Sequence, residues 1–153
     1  MHRPYEVVFK PQHCDNPLYP ASADELIAAI DEVALSNDGV PQYMWVVPNG
    51  PHTAVLFVGV AGVRGVGSLA YASETEDLHS RGGSRSDRTV FYLDFGEPRY
   101  FPQDSMIDLD DLRTAVRYFY DTIGERPNNI EWQEWSDTEA DEVDWPCPDP
   151  WWV

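Results

Sequence analysis

The chain's stock of nucleophilic and metal-binding side chains is small: four histidines, two cysteines and one lysine. His13, Cys14 and Asp15 are adjacent, the residue types of a thiolate nucleophile or a metal site. A Cys/His pair normally meets through the fold, however, and neighbours on a proline-rich loop rarely point at one another. His52 falls in a turn and His79 in a loop, where a surface imidazole is the expected reading. Cys14 and Cys147 match no CxxC or Cys/His zinc spacing. No metal and no cofactor is therefore expected, and the thiols read as packing or surface residues in a reduced protein. The glycine-rich GVAGVRGVG, Gly59 to Gly67, lacks the GK[ST] ending of a phosphate loop and opens no helix, so it reads as a kinked or bulged strand. Glu131 and Glu134 could be paired as general acid and base. Three positions apart on a strand, they face opposite sides and share no site. Lys10 has no supporting neighbour for Schiff-base chemistry. No catalytic residue is assigned, and a non-enzymatic protein is expected.

Charge narrows the partners. The 153 residues hold 27 Asp plus Glu against 10 Lys plus Arg, a formal charge of −17. Such a domain repels a phosphate backbone, which excludes direct nucleic-acid binding and favours a basic partner. With 42% hydrophobic and 13% aromatic residues, the acid decorates a globular core, and one domain is expected. The first ten residues carry no signal-peptide pattern and no apolar run reaches membrane-spanning length, so a cytoplasmic protein away from the membrane is expected.

The elements that must position any site follow from periodicity. Tyr5 to Lys10 is β-branched and bounded by prolines, a first strand. Ser22 and Glu25 form a capping box before Leu26, Ile27, Ile30 and Val33, which predicts a helix from about Ala23 to Leu35. Tyr43 to Val47 is a strand, and the nearly continuous apolar run Thr53 to Val60 predicts a central strand covered on both faces. Ser68 to Ala72 resumes the strand pattern, Glu74 to Asp87 reads as a polar loop mobile at Gly82-Gly83, and Val90 to Phe95 is strand again, with an extension after Pro98 over Arg99 to Phe101. Asp108 caps a second helix with the stripe Leu109, Leu112, Val116, Phe119, Tyr120 and Ile123, ended by Gly124. Ile130 to Trp135 is a last strand. The order β-α-β-β-β-β-α-β predicts an α+β domain with a mostly antiparallel sheet and two helices on one face.

The C-terminal end differs in composition. Eight acids lie between Glu131 and Asp149 with no Lys or Arg, beside five of the six tryptophans. The expected division is a domain over residues 1–135 and an acidic, Trp/Pro-rich extension over 136–153. Acid with tryptophan and proline predicts a docking edge, since attraction speeds encounter with a cationic partner and buried indoles slow release. Excess acid also aids solubility, and composition alone does not separate the two.

From the second helix onward, AVRYFYDTIGERPNNIEWQEW resembles the end of a family of bacterial polymorphic-toxin immunity proteins, the first-numbered one (Imm-one). In it a helix ending in a Gly-x-x-Pro turn leads to a strand with an Ile/Val-x-Trp core. The matching residues are Phe119, Gly124, Arg126, Pro127, Ile130, Trp132 and Glu134, and the resemblance spans roughly Tyr5 to Trp135. It implies an antitoxin that binds the C-terminal domain of a secreted toxin, often a zinc-dependent cytosine deaminase acting on nucleic acid, sometimes a nuclease. Inhibition would be steric, with acidic and aromatic groups filling the groove that leads to the toxin's zinc-bound water. The expected toxin-binding residues are Glu131, Glu134, Trp135, Asp137, Glu139, Asp141 and Glu142. Trp132 is expected in the core and Arg126 to brace the turn or pair with an acid. A competing interface is the basic loop near Arg81, Arg85 and Arg88. The alternative from another class is a small-ligand binding or scaffolding domain using the glycine-broken strands.

Overall fold

The computed structural model describes residues 4–35, 40–49, 54–87 and 89–135. Strand β1, Tyr5–Val8, buries alternate residues, and a 3-10 turn at Pro11–Cys14 follows it. Helix α1 spans Ala23–Leu35, as the capping box predicts. The Glu25 amide donates to Ser22 Oγ at 3.2 Å, while the Glu25 carboxylate accepts from the Ala21 amide at 2.5 Å. Its buried side chains, Ala23, Leu26, Ile30 and Val33, are spaced for one helical face.

Strands β2 (Gln42–Pro48), β3 (Val55–Ala61) and β4 (Val66–Ala72) form the antiparallel centre. The run expected to be covered on both faces is so from Val58 to Ala61, whereas Val55 and Phe57 stay half-exposed. The glycine-rich stretch is no bulge. A 3-10 turn at Gly62–Arg64 and a left-handed Gly65, φ +69°, make it the hairpin connection between β3 and β4.

Three strands go beyond the expected order: β5 (Asp77–Arg81), the now explicit β7 (Glu97–Phe101), and β8 (Ile107–Asp108). β5 lies where a mobile loop was expected, paired with β4 on one side and with the last strand, β9 (Glu131–Glu134), on the other. Its buried residues are His79 and Ser80, so the strand carries no apolar alternation to read. The Ser80 hydroxyl meets its needs internally, donating to Ser105 O at 2.7 Å and accepting from the Leu69 amide at 2.9 Å. Gly82 is closely packed and not a mobile tip: its amide donates to Asp104 O at 2.6 Å, and a Cβ there would meet the Met106 carbonyl.

The sheet order is β7-β6-β2-β3-β4-β5-β9, where β6 is Val90–Asp94, with β1 also on β2 and β8 also on β4. Among the described residues the pairing is antiparallel except between β2 and β6. Helix α2, Leu109–Asp121, buries Leu112, Ala115, Val116, Phe119 and Tyr120. Asp108 occupies its N-cap position, yet its side chain makes no capping hydrogen bond among the described residues. Ile123, expected on the buried stripe, lies past the helix end at φ +56° and is half exposed.

Both helices cover one face of the sheet, over a core of Val7, Met44, Val46, Leu56, Val58 and Leu69. The other face is treated differently. The β6–β7 hairpin turns at Phe95 and Gly96, both at positive φ as in a type I′ turn, and folds back over the sheet. Tyr92 of β6 lies flat on Gly59, where any Cβ would come within 2.4 Å of the ring. Its hydroxyl meets Ser68 Oγ at 2.7 Å. Beyond this hairpin, Trp45, Phe57 and Trp135 are only partly covered.

Candidate functional site: an aromatic and acidic sheet edge

The strand register carries one row across the partly covered face: Trp45 on β2, Phe57 on β3, Ala70 on β4, His79 on β5 and Gln133 on β9. Trp135 follows β9 directly, its amide donating to Asp77 O at 3.0 Å. Its ring stacks on His79 with centroids 4.4 Å apart and meets Phe57 edge-on at 6.1 Å. The small Ala70 and Ala72 of β4 leave the room this ring needs. Phe57 in turn stacks on Tyr43 at 5.7 Å and meets Trp45 edge-on at 5.2 Å. Trp45 is held from the hairpin: its indole N–H donates to Asp94 Oδ1 at 2.8 Å, and Arg99 Nε donates to Asp94 Oδ2 at 2.9 Å. A buried carboxylate thus fixes an indole at the surface. Burial also pushes the Tyr5, Tyr43 and Tyr92 phenols well above their ordinary range.

At the rim of this face a depression is lined by Ala72, Asp77, Glu134 and Trp135. Glu134 and Trp135 thus border the depression together with Asp77, which lay inside the stretch taken for a loop. Glu131 is exposed three residues earlier, opposite Arg81 in the register, while Glu134 is opposite Leu78. Asp137, Glu139, Asp141 and Glu142 lie outside the described residues, as do His52, Arg88 and Cys147.

Most of the described cations are engaged elsewhere. Lys10, Arg81, Arg99, Arg113, Arg117 and Arg126 each face an acid within 4 Å, and Arg85 reaches Gln103 at 2.5 Å. Asp77, Glu131 and Glu134 enter no ion pair among the described residues. The loop offered as a competing basic interface is thus partly committed, with Arg81 on Asp104 at 3.8 Å.

The chemistry-bearing residues near the start have structural jobs. His13 Nδ1 accepts from the Phe9 and Lys10 amides at 3.2 Å, and the ring packs edge-on to Phe9. Burial, then the nearby Lys10 charge, pushes its pKa down, so the neutral acceptor is the favoured form. Cys14 beside it is exposed, and His79 is fully buried beneath Trp135. Among the described residues no cluster of His, Cys, Asp and Glu could hold a metal ion.

One local structure places β9 and hence this edge. Gly124 ends the α2 region at φ +98°, donating to Phe119 O at 2.9 Å and accepting from the Tyr71 hydroxyl at 2.8 Å. Arg126 pairs with Glu76 at 2.6 Å, and Trp132 Nε1 donates to Pro127 O at 2.8 Å. Ile130 and Trp132 pack on the helix-side core. The helix–glycine–proline–strand motif is therefore a folded corner. The sequence model of a family described as Immunity protein Imm1 matches residues 15–134, this corner included. The chain belongs to that family. An Imm1 protein is an immunity protein, and its partner is a cognate toxin. The Imm1 match stops at Glu134, one residue before Trp135. No curated protein matches the chain. No helix among the described residues is long and apolar enough to cross a membrane.

Proposed function

We propose that this Imm1 protein is a non-enzymatic antitoxin that binds the C-terminal domain of a secreted toxin, in the cytoplasm of the producing cell, and blocks its substrate groove. The toxin is a zinc-dependent cytosine deaminase acting on nucleic acid, whose groove must be basic to hold phosphates. The observation that carries this reading is the uncompensated acid at the β5–β9 edge, set beside Trp135 on a partly covered aromatic face. The contact set is Glu131, Glu134 and Trp135, continued by Asp137, Glu139, Asp141 and Glu142 of an extension over residues 136–153 that follows a single domain. Acid at the edge steers encounter, and the indoles supply apolar contact that resists release.

The test is co-expression with the toxin domain encoded beside this chain, then capture, deamination of single-stranded DNA and a parallel nuclease assay. Retained capture with suppressed deamination is expected. Reversal of Asp137, Glu139, Asp141 and Glu142 to Lys should weaken binding most at low salt. Unchanged affinity there removes the extension from the interface, and a toxin with only nuclease activity overturns the deaminase assignment.

A further inference from the structure

We propose that the outer edge of β9 receives an extended segment of the toxin as an added antiparallel strand, one with basic side chains three residues apart. The partner rests on the antitoxin reading, and the mode of binding rests on the backbone of this chain.

β9 ends the sheet, with β5 on one side and no strand on the other among the described residues. One bond fixes which of its backbone groups face outward. The Trp135 amide donates to Asp77 O at 3.0 Å, which continues the antiparallel register by one pair. Hydrogen-bonded pairs alternate in such a ladder, so Glu131, Gln133 and Trp135 turn their N–H and C=O groups to β5. Trp132 and Glu134 turn theirs outward, and none of these groups has a hydrogen-bond partner among the described residues. Two other edges are closed. β1 exchanges both hydrogen bonds of Val7 with Leu18. On β6 the Leu93 amide goes to Pro41 O, so its opposite residue on β7, Pro98, faces outward and supplies no donor there. β9 carries no proline, and its end residues Glu131 and Glu134 are exposed.

Charge chooses the occupant. Glu131 and Glu134 lie on opposite faces of β9, so an added strand meets one acid on each face. The chain's own residues after β9 hold no Lys or Arg, and a second copy brings the same −17 charge, so neither sets a cation against these acids. An antiparallel segment with one basic residue opposite Glu134 and another opposite Glu131 does. Between them, the residue opposite Trp132 shares the helix-side face on which that indole packs, and an aliphatic side chain suits it. Strand addition of this kind draws affinity from main-chain bonds and selectivity from the alternating side chains.

The test uses the full chain, 15N-labelled, and the capped peptide acetyl-TRTVRT-amide, which sets its arginines opposite Glu134 and Glu131 and its valine opposite Trp132. In the free protein the Trp132 and Glu134 amides should exchange with deuterated water as fast as in an unfolded chain, while those of Gln133 and Trp135 are protected. Added peptide should slow the first pair by about tenfold or more and leave the second pair as it was. N-methylation of the peptide's first arginine and its valine, whose N–H groups meet β9, should abolish the slowing. N-methylation of the threonine between them and of the second arginine, whose N–H groups point away, should preserve it. Glu134→Pro, which removes an outward donor and leaves the β5 ladder, should bind co-expressed toxin domain about tenfold more weakly than Glu134→Ala, with Gln133 still protected. Protection of Trp132 and Glu134 in the free chain overturns the proposal, since its own C-terminal residues or a second copy then hold the edge. Slowing that survives methylation of the first arginine and the valine overturns it too. If toxin is captured while both amides go on exchanging freely, the antitoxin reading stands and the added strand falls. Peptide-induced protection without toxin capture supports the receiving edge and sinks the antitoxin reading.

Discussion

Replacing Gly124 by alanine tests whether the corner that positions β9 is as constrained as its geometry indicates. Two costs add. At φ +98° an L side chain is held in a region it rarely adopts, worth about 1–2 kcal/mol. The new Cβ would also stand 2.6 Å from Tyr5 Oη and 3.3 Å from Ala54 Cβ. Tyr5 is fully buried and packs on Phe119 at 4.8 Å, so it cannot swing away, and such overpacking costs about 1–3 kcal/mol. The sum is about 2–5 kcal/mol. Gly65→Ala is the matched control: φ is +69° there, but no heavy atom lies within 4 Å, so only the conformational cost of about 1–2 kcal/mol applies. Urea unfolding of both variants gives the comparison, and with a slope of about 2 kcal/mol/M the Gly124 variant should lose about 1–2.5 M in midpoint. If Gly124→Ala falls within about 0.5 kcal/mol of Gly65→Ala, the close packing at the corner does not govern stability and the argument fails.

Three further outcomes are expected. His13 has a folded pKa below its unfolded value, so its contribution is present above about pH 6.5 and is lost as pH falls toward the folded value; His13→Gln, which does not titrate, should flatten the stability change between pH 7 and 5 in calorimetry. Tyr92 has a folded pKa above its unfolded value, so stability should fall above about pH 10 by up to about 1.4 kcal/mol per pH unit for this group. Tyr92→Phe should cost about 1 kcal/mol at pH 7 through the lost Ser68 bond, with the gap to wild type closing at alkaline pH; a constant gap contradicts the assignment. Asp94→Ala removes the acceptor of both Trp45 Nε1 and Arg99 Nε, and should cost about 1–3 kcal/mol in denaturant while changing the Trp45 indole resonance; an unmoved resonance would show that Asp94 does not hold the ring.

How far each feature could be read without coordinates depended on how local its cause is. Helix α1 was legible to its ends because Ser22, Glu25 and the apolar spacing act within a few turns. The corner from Phe119 to Trp132 was legible because two of its bonds, Gly124 to Phe119 and Trp132 to Pro127, each span five residues, and it carries the family assignment. β5 was not legible. Its buried positions are His79 and Ser80, whose burial is offset by partners on β4, β9 and the Ser105 segment. Those partners lie far along the chain, and no periodicity announces them. Asp77 was missed for the same reason.

The sequence by itself determined the helices, the acid surplus, the glycine-proline corner and the family, because propensity, charge and short-range capping do not wait for the fold. Only the tertiary structure decided which acids stay uncompensated and which aromatic rings share a face. Register across five strands aligns Trp45, Phe57 and His79 with Trp135 stacked beside them, and small residues at Ala70 and Ala72 leave space for that last ring. Long-range pairing sets that alignment, and a shift of one residue would turn each of these rings to the opposite face.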